Sequence, residues 1–341
     1  MGIRRQQAID YMATTVTKII DPDSGTGFDY ASMSAFEAGE DANLVTADQV
    51  IIGKCRCTGG TADTTAVVFG GWTCDATRYV QVWTDTSETY RHNGTYQTGN
   101  KYRIELSSAS PLTIQINNTN RMDLKVIGIA SKPDRTSSGT GMGPINGTST
   151  AGAGSTYVVD KCMFSYSAAS TGNVRCITGT SANITWTITN NISHLYRGNT
   201  IFETTAGGTV TVYNNTMVGD NASTTTGYSR SGGTWTSKNN IGQDISTCFS
   251  ANTGQSYNLS DDATATGTGS VASTTLTFAD KAGGDLHLAS SDTAAMSAGL
   301  GPASDAVVPT TDIDENIRLG TFCDIGADER AGEIVQLIWS N

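Results

Sequence analysis

GTVTVYNNTMVGD, residues 208–220, sets two strand-like runs on either side of a pair of asparagines. Val210, Val212 and Tyr213 favour extended backbone, and Thr216 and Val218 resume it. Asparagine breaks such a run because its side chain competes for the backbone. A single pair would be an ordinary turn, but this one recurs. It stands at Asn190–Asn191 in ITWTITNNISHLY (184–196) and at Asn239–Asn240 in GTWTSKNNIGQD (233–244). The first asparagines fall at 190, 214 and 239, so the steps are 24 and 25 residues.

A period of 20–30 residues with several short strands per cycle is the mark of a solenoid. The fold class expected is all-β: a single right-handed parallel β-helix with a short N-terminal helical arm and cap. Successive coils stack about 4.8 Å apart, so each corner meets its equivalent one coil on. Asparagine suits such a corner because it tolerates the left-handed conformation and can bond the next asparagine in a ladder. Asn190, Asn191, Asn214, Asn215, Asn239 and Asn240 are therefore read as a structural ladder rather than as ligand-binding residues. In YVVDKCMFSYS (157–167) the slot falls to Asp160–Lys161, and in QSYNLSDDATA (255–265) to Asn258 after a shorter step. Trp186 and Trp235 each precede their pair by four residues, on strands flanking the one with Val210. They either fill the core, the preferred reading, or stack on a sugar.

Composition agrees with this class. Of 341 residues only 16% are charged, with 38 glycines and 6 prolines, and no long Lys/Glu-rich helix is visible. The net charge of −11 disfavours a nucleic-acid partner. No apolar run reaches membrane-spanning length, so no membrane partner is expected. The first twenty residues lack the apolar core of a secretory signal, which suggests synthesis in a cytoplasm. Seven cysteines are scattered without metal-ligand spacing, and buried free thiols are expected, with no metal or cofactor.

Five regions are expected along the chain. Residues 1–40 form an arm and cap, in which Ile9, Met12 and Val16 lie near helical spacing. ASMSAFEAGE (31–40) reads as a second short helix with Ser32 as N-cap. Residues 41–134 are an entry β region, and 135–155 a Gly/Ser/Thr-rich loop or excursion. Coils occupy 156–283, and a closing segment 284–341.

Two stretches carry resemblances. DLHLASSDTAAMSAG (285–299) followed by TDIDENIRLGTFCDIGADE (311–329) resembles the closing segment of pectate-lyase-like β-helix proteins. It departs from that pattern in TAAMSAG, in Glu315 where glycine is usual, and in Leu319. The resemblance implies the fold and says little of chemistry, since enzymes and non-enzymes share it. DPDSGTGFDYASMSAFEAG (21–39), with GGWTCDATRYVQVWTD (70–85) and RHNG (91–94), looks like the entry cap of phage and prophage β-helix proteins. That likeness implies a virion component.

Catalytic candidates are few. Asp220 and Asp244 follow their asparagine pairs by five and four residues, so neighbouring coils would bring them together as an acid pair. His194 reads as a surface residue and His287 as structural. The function expected is a non-enzymatic phage structural protein, a capsid decoration protein or virion fibre, located in the virion. It would dock on the major capsid protein or another virion protein through Arg4, Arg5, Ile9 and Met12, and associate as a trimer. The alternatives are a tailspike that binds or cleaves a glycan, and a bacterial adhesin or secreted lyase.

Overall fold

The computed structural model describes residues 13–109, 112–137, 140–141, 143–148, 150–166, 173–196, 202–204, 208–220, 226–250 and 254–330. Three parallel sheets wind around one core, giving the parallel β-helix that the pair spacing predicts. The first sheet has nine strands, from Thr14–Ile20 through Thr209–Tyr213 and Thr234–Lys238 to Gln255–Ser256. The second has seven, from Arg103–Ile104 through Ile192–Tyr196, Thr216–Gly219 and Ile241–Gln243 to Leu259–Ser260. The third, also of seven, runs from Val67–Phe69 through Ile145–Gly147 and Ile177–Gly179 to Phe249–Ser250.

Register fixes the core. Tyr157, Trp186, Val210 and Trp235 align across four coils, and Val159, Ile188 and Val212 form the next inward column. All seven are buried, and Trp186 packs edge-on against Tyr157 at 5.0 Å. Both tryptophans thus belong to the core rather than to a sugar-stacking surface. Before the first column Thr185, Thr209 and Thr234 face solvent, and between the two columns Thr187, Thr211 and Thr236 are half-buried. Up to the corner this is the alternation expected of a sheet with one wet face, but it is not strict, since Thr189 and Tyr213 at the strand ends are buried as well.

The N-terminal boundary differs from the expectation. Val16 does not continue a helix: Thr14–Ile20 is the first strand of the solenoid, paired in parallel with Gln49–Cys55. Three threonines and two isoleucines in seven residues outweigh the helical spacing of the apolar positions. The helix Met33–Glu40 does form, with Ser32 Oγ accepting from the Ala35 N–H at 3.0 Å. It buries Met33 and Phe36 over the end of the core. Gly53 makes room there, since a Cβ would lie 2.8 Å from Ile20 and 3.1 Å from Phe36.

The region 41–134 already winds coils of the solenoid. Most of its strands belong to the same three sheets, while Ser107–Ser108 pairs apart with Asp134–Arg135. The segment 135–155 is an excursion that still contributes a rung, because Ile145–Gly147 pairs with Ile114–Ile116 on one side and Ile177–Gly179 on the other. Glycine and threonine enrichment masked that short strand. No helix among the described residues is long and apolar enough to cross a membrane.

The closing segment does not cap the end of the helix; it lies along its flank. Ala130, Met163, Ile192, Ile241 and Leu259 point outward from the second sheet. They form a second apolar core with Leu286, Leu288, Ile313, Ile325 and Ala327. Two antiparallel pairs brace this flap: Phe278–Asp280 with Asp285–Leu288, and Gly299–Leu300 with Phe322–Cys323.

Candidate functional site

The asparagine corner divides into two rows with different work. Asn190, Asn214 and Asn239 have φ of 54°, 55° and 56°, the left-handed bend between first and second sheets. The next residue of each pair turns inward. Asn191 Nδ2 donates to Asn215 Oδ1 at 2.9 Å, Asn215 to Asn240 at 2.9 Å, and Asn240 to Asn258 at 3.1 Å. Each of these oxygens also accepts the backbone N–H of the preceding coil's asparagine. The ladder satisfies amides that would be costly to bury alone. One coil earlier the register places Lys161 and Cys162, not Asp160 and Lys161, in the slot. Lys161 takes the same bend at φ 55°, and Cys162 N–H donates to Asn191 Oδ1 at 2.9 Å.

The outer row holds the flap. Asn239 Nδ2 donates to the Leu300 carbonyl and its Oδ1 accepts the Leu300 N–H, both at 2.8 Å. Asn190 Nδ2 donates to the Thr311 carbonyl at 3.1 Å, and Asn214 Nδ2 to that of Gly326 at 3.3 Å. Arg318, wholly buried, donates to Glu329 at 3.0 Å and to the Gly326 carbonyl at 3.0 Å. It also donates to the Asp324 carbonyl at 3.3 Å and to Asn190 Oδ1 at 3.4 Å.

Where the flap folds back on itself it leaves a cleft of about 840 Å³. Its walls include His287, Asp314, Asn316, Asp328, Glu329 and Arg330. His287 Nδ1 lies 2.5 Å from Asp285 Oδ1, and Nε2 lies 2.5 Å from Asp314 Oδ2. The hydrogen bond to Asp314, followed by the one to Asp285, pushes the imidazole up to about 10. His287 is therefore an imidazolium donating from both nitrogens at neutral pH. Burial pushes the Asp328 carboxyl up to about 6, and the charges of Asp312 and Asp314 add to it. Burial likewise pushes Glu329 up to about 7, against the pull of Arg318. Asp312 is spent on the local turn, accepting the N–H groups of Asp314 at 2.9 Å, Asn316 at 2.7 Å and Glu329 at 2.8 Å.

The register does not set Asp220 level with Asp244. Val218 aligns with Gln243, so Asp220 falls one residue beyond the level of Asp244. Asp244 bonds Lys281 Nζ at 2.7 Å instead. His194 is buried rather than on the surface, its Nε2 2.8 Å from the Lys281 carbonyl, because the flap covers that face. All seven cysteines are free and buried. Arg4, Arg5, Ile9 and Met12 lie outside the described residues. Lys18, the next cation along, pairs with Glu40 at 3.1 Å.

The carboxylates of the cleft were missed as a group because each sits inside the closing motif, where a structural role is the ready explanation. The D-x-D-x-N spacing of Asp312, Asp314 and Asn316, typical of cation-binding turns, was the available signal. The chain matches no protein-family model, no curated protein and no solved structure.

Proposed function

We propose that this chain is a non-enzymatic structural component of a phage particle, most concretely a capsid decoration protein or virion fibre. The observation that carries this reading is the fate of the asparagine corner. That repeating surface is filled by the chain's own residues 300, 311 and 326 rather than left to a glycan. Tryptophans that would stack on sugar are in the core, and Asp244 is neutralised by Lys281. What results is a rod whose groups are spent on rigidity, with a basic pair, Arg4 and Arg5, suited to an acidic partner surface. Docking on the major capsid protein falls to Arg4, Arg5, Ile9 and Met12, and association as a trimer belongs to the same proposal.

Co-sedimentation of the full chain with particles assembled from the major capsid protein of the same genome tests it. Saturable binding at a fixed copy number, lost on Arg4→Glu with Arg5→Glu, is expected. Absence of binding to the particle would refute the proposal.

One observation favours a tailspike-like alternative that cleaves a glycan. The cleft brings together two carboxyls pushed up to about 6 and 7, a property that suits a general acid. Release of reducing ends from capsular polysaccharide, abolished by Asp328→Asn, would favour that alternative over the structural one.

A further inference from the structure

Three segments remote from one another in sequence deliver His287, Asp314 and Asp328 to one point of the cleft. His287 lies on the strand Asp285–Leu288, Asp314 in the turn after Asp312, and Asp328 five residues beyond the strand Phe322–Cys323. One donor atom from each lies within 4.8 Å of the other two. The set is mixed, one imidazole nitrogen with two carboxylate oxygens.

The environment of the imidazole adds a separate indication. Its far nitrogen, Nδ1, is held by the Asp285 carboxylate at 2.5 Å. A carboxylate on the far ring nitrogen is how proteins orient a metal-ligating histidine, fixing which nitrogen faces the metal. Here that leaves Nε2 turned toward Asp314 and Asp328. The backbone of the coil has been cleared for the ring: a Cβ on Gly94, at φ +77°, would lie 2.6 Å from Nε2. The cleft opens onto the same three side chains, leaving room for water to complete a coordination shell.

We propose that His287, Asp314 and Asp328 bind a first-row divalent transition cation, with zinc preferred, and that the cation ties the three segments of the flap to one another. The donor set decides the class. Imidazole suits zinc and its neighbours, whereas calcium and magnesium take oxygen ligands. Binding puts the cation on the Nε2 lone pair in place of the contact with Asp314, and a proton carried by Nε2 leaves to solvent. The inference is independent of the virion reading, since a fibre, a decoration protein or an enzyme would gain equally from a fastened flap.

Isothermal titration of the full chain, treated with chelator and exchanged into metal-free buffer, tests it with zinc, manganese, calcium and magnesium chlorides in turn. A single saturable zinc site is expected, with manganese weaker and calcium and magnesium silent. Asp285→Asn should weaken zinc binding by about 10–100-fold, the usual effect of losing an outer carboxylate. His287→Ala should abolish binding. Wild-type zinc affinity in a folded His287→Ala protein would overturn the proposal, as would calcium binding as tightly as zinc. Should His287→Ala fail to fold, the wild-type cobalt(II) spectrum decides. Visible bands without a thiolate charge-transfer band support the site; a thiolate band, or no bands, sinks it.

Discussion

The first and second sheets are built on the same period yet meet the outside in opposite ways. The first shows water a face of threonines, with Thr185, Thr209 and Thr234 exposed in one line. The second is buried on both faces, and Thr216–Gly219 is buried at every position. The difference lies in what the chain does after its last coil. Residues 276–327 return along the flank and turn the outer face of the second sheet into a second core. A sheet with one wet face alternates; a sheet covered on both sides loses the alternation. The two asparagines of each pair repeat this contrast at the corner, one turned inward to its own kind and the other outward to the flap.

The largest expected effect lies in the covered sheet. Ile192 is fully buried on the outward side of the second sheet. Ile192→Lys would drive an ammonium among the apolar side chains of the second core. The cost expected is about 4 kcal/mol or more, the range of buried unpaired charge. A denaturant midpoint within error of wild type would mean that the flap does not rest on that sheet in solution.

The corner and the first sheet were legible in sequence for a physical reason. A stack of identical coils demands the same backbone bend at the same place, and only a few residue types accept φ near 55°. Asparagine therefore announced itself at 190, 214 and 239. The earlier slot was read one residue early because Lys161–Cys162 replaces the pair there, leaving no side chain to mark it. The first strand was hidden by a different ambiguity, since apolar residues three and four apart also occur by chance in a β-branched run. The flap's position was not legible at all. Which face a closing segment covers is set by long-range packing of Leu286, Ile313 and Ile325, and a local motif carries no record of that. The cleft followed the flap into invisibility, because His287, Asp314 and Asp328 become neighbours only once it folds back.

A middle-sized effect separates the two asparagines of one pair. Asn215 Oδ1 accepts from both the backbone N–H and the side chain of Asn191. Asn215→Ala strands those two buried donors and opens a small void, at a cost of about 2–4 kcal/mol. Asn214→Gly keeps the left-handed bend, which glycine adopts freely, and loses only long bonds of 3.3 Å or more, those it donates to the flap and the one it accepts from Asn239 Nδ2. About 1 kcal/mol is expected there. Equal losses in the two variants, measured by urea denaturation, would remove the distinction between inner and outer rows.

The smallest effect completes the contrast between the sheets. Thr209 is exposed on the first sheet, aligned with Thr185 on one side and Thr234 on the other. Thr209→Lys gives up a β-branched side chain that packs lightly against its two neighbours, while the long lysine stem lies over the same threonines and keeps its ammonium in water. The charge is added to an acidic molecule, so the general field favours it slightly. These contributions are each a few tenths of a kcal/mol and of opposite sign, so the change in stability should stay within about 0.5 kcal/mol. The same lysine at Ile192 should cost several times more, although both positions face outward from their sheets. A Thr209→Lys loss approaching that of Ile192→Lys would show that the threonine face is itself covered. The cover would then be another copy of the chain, and the loss would grow with protein concentration as the assembled form is disfavoured.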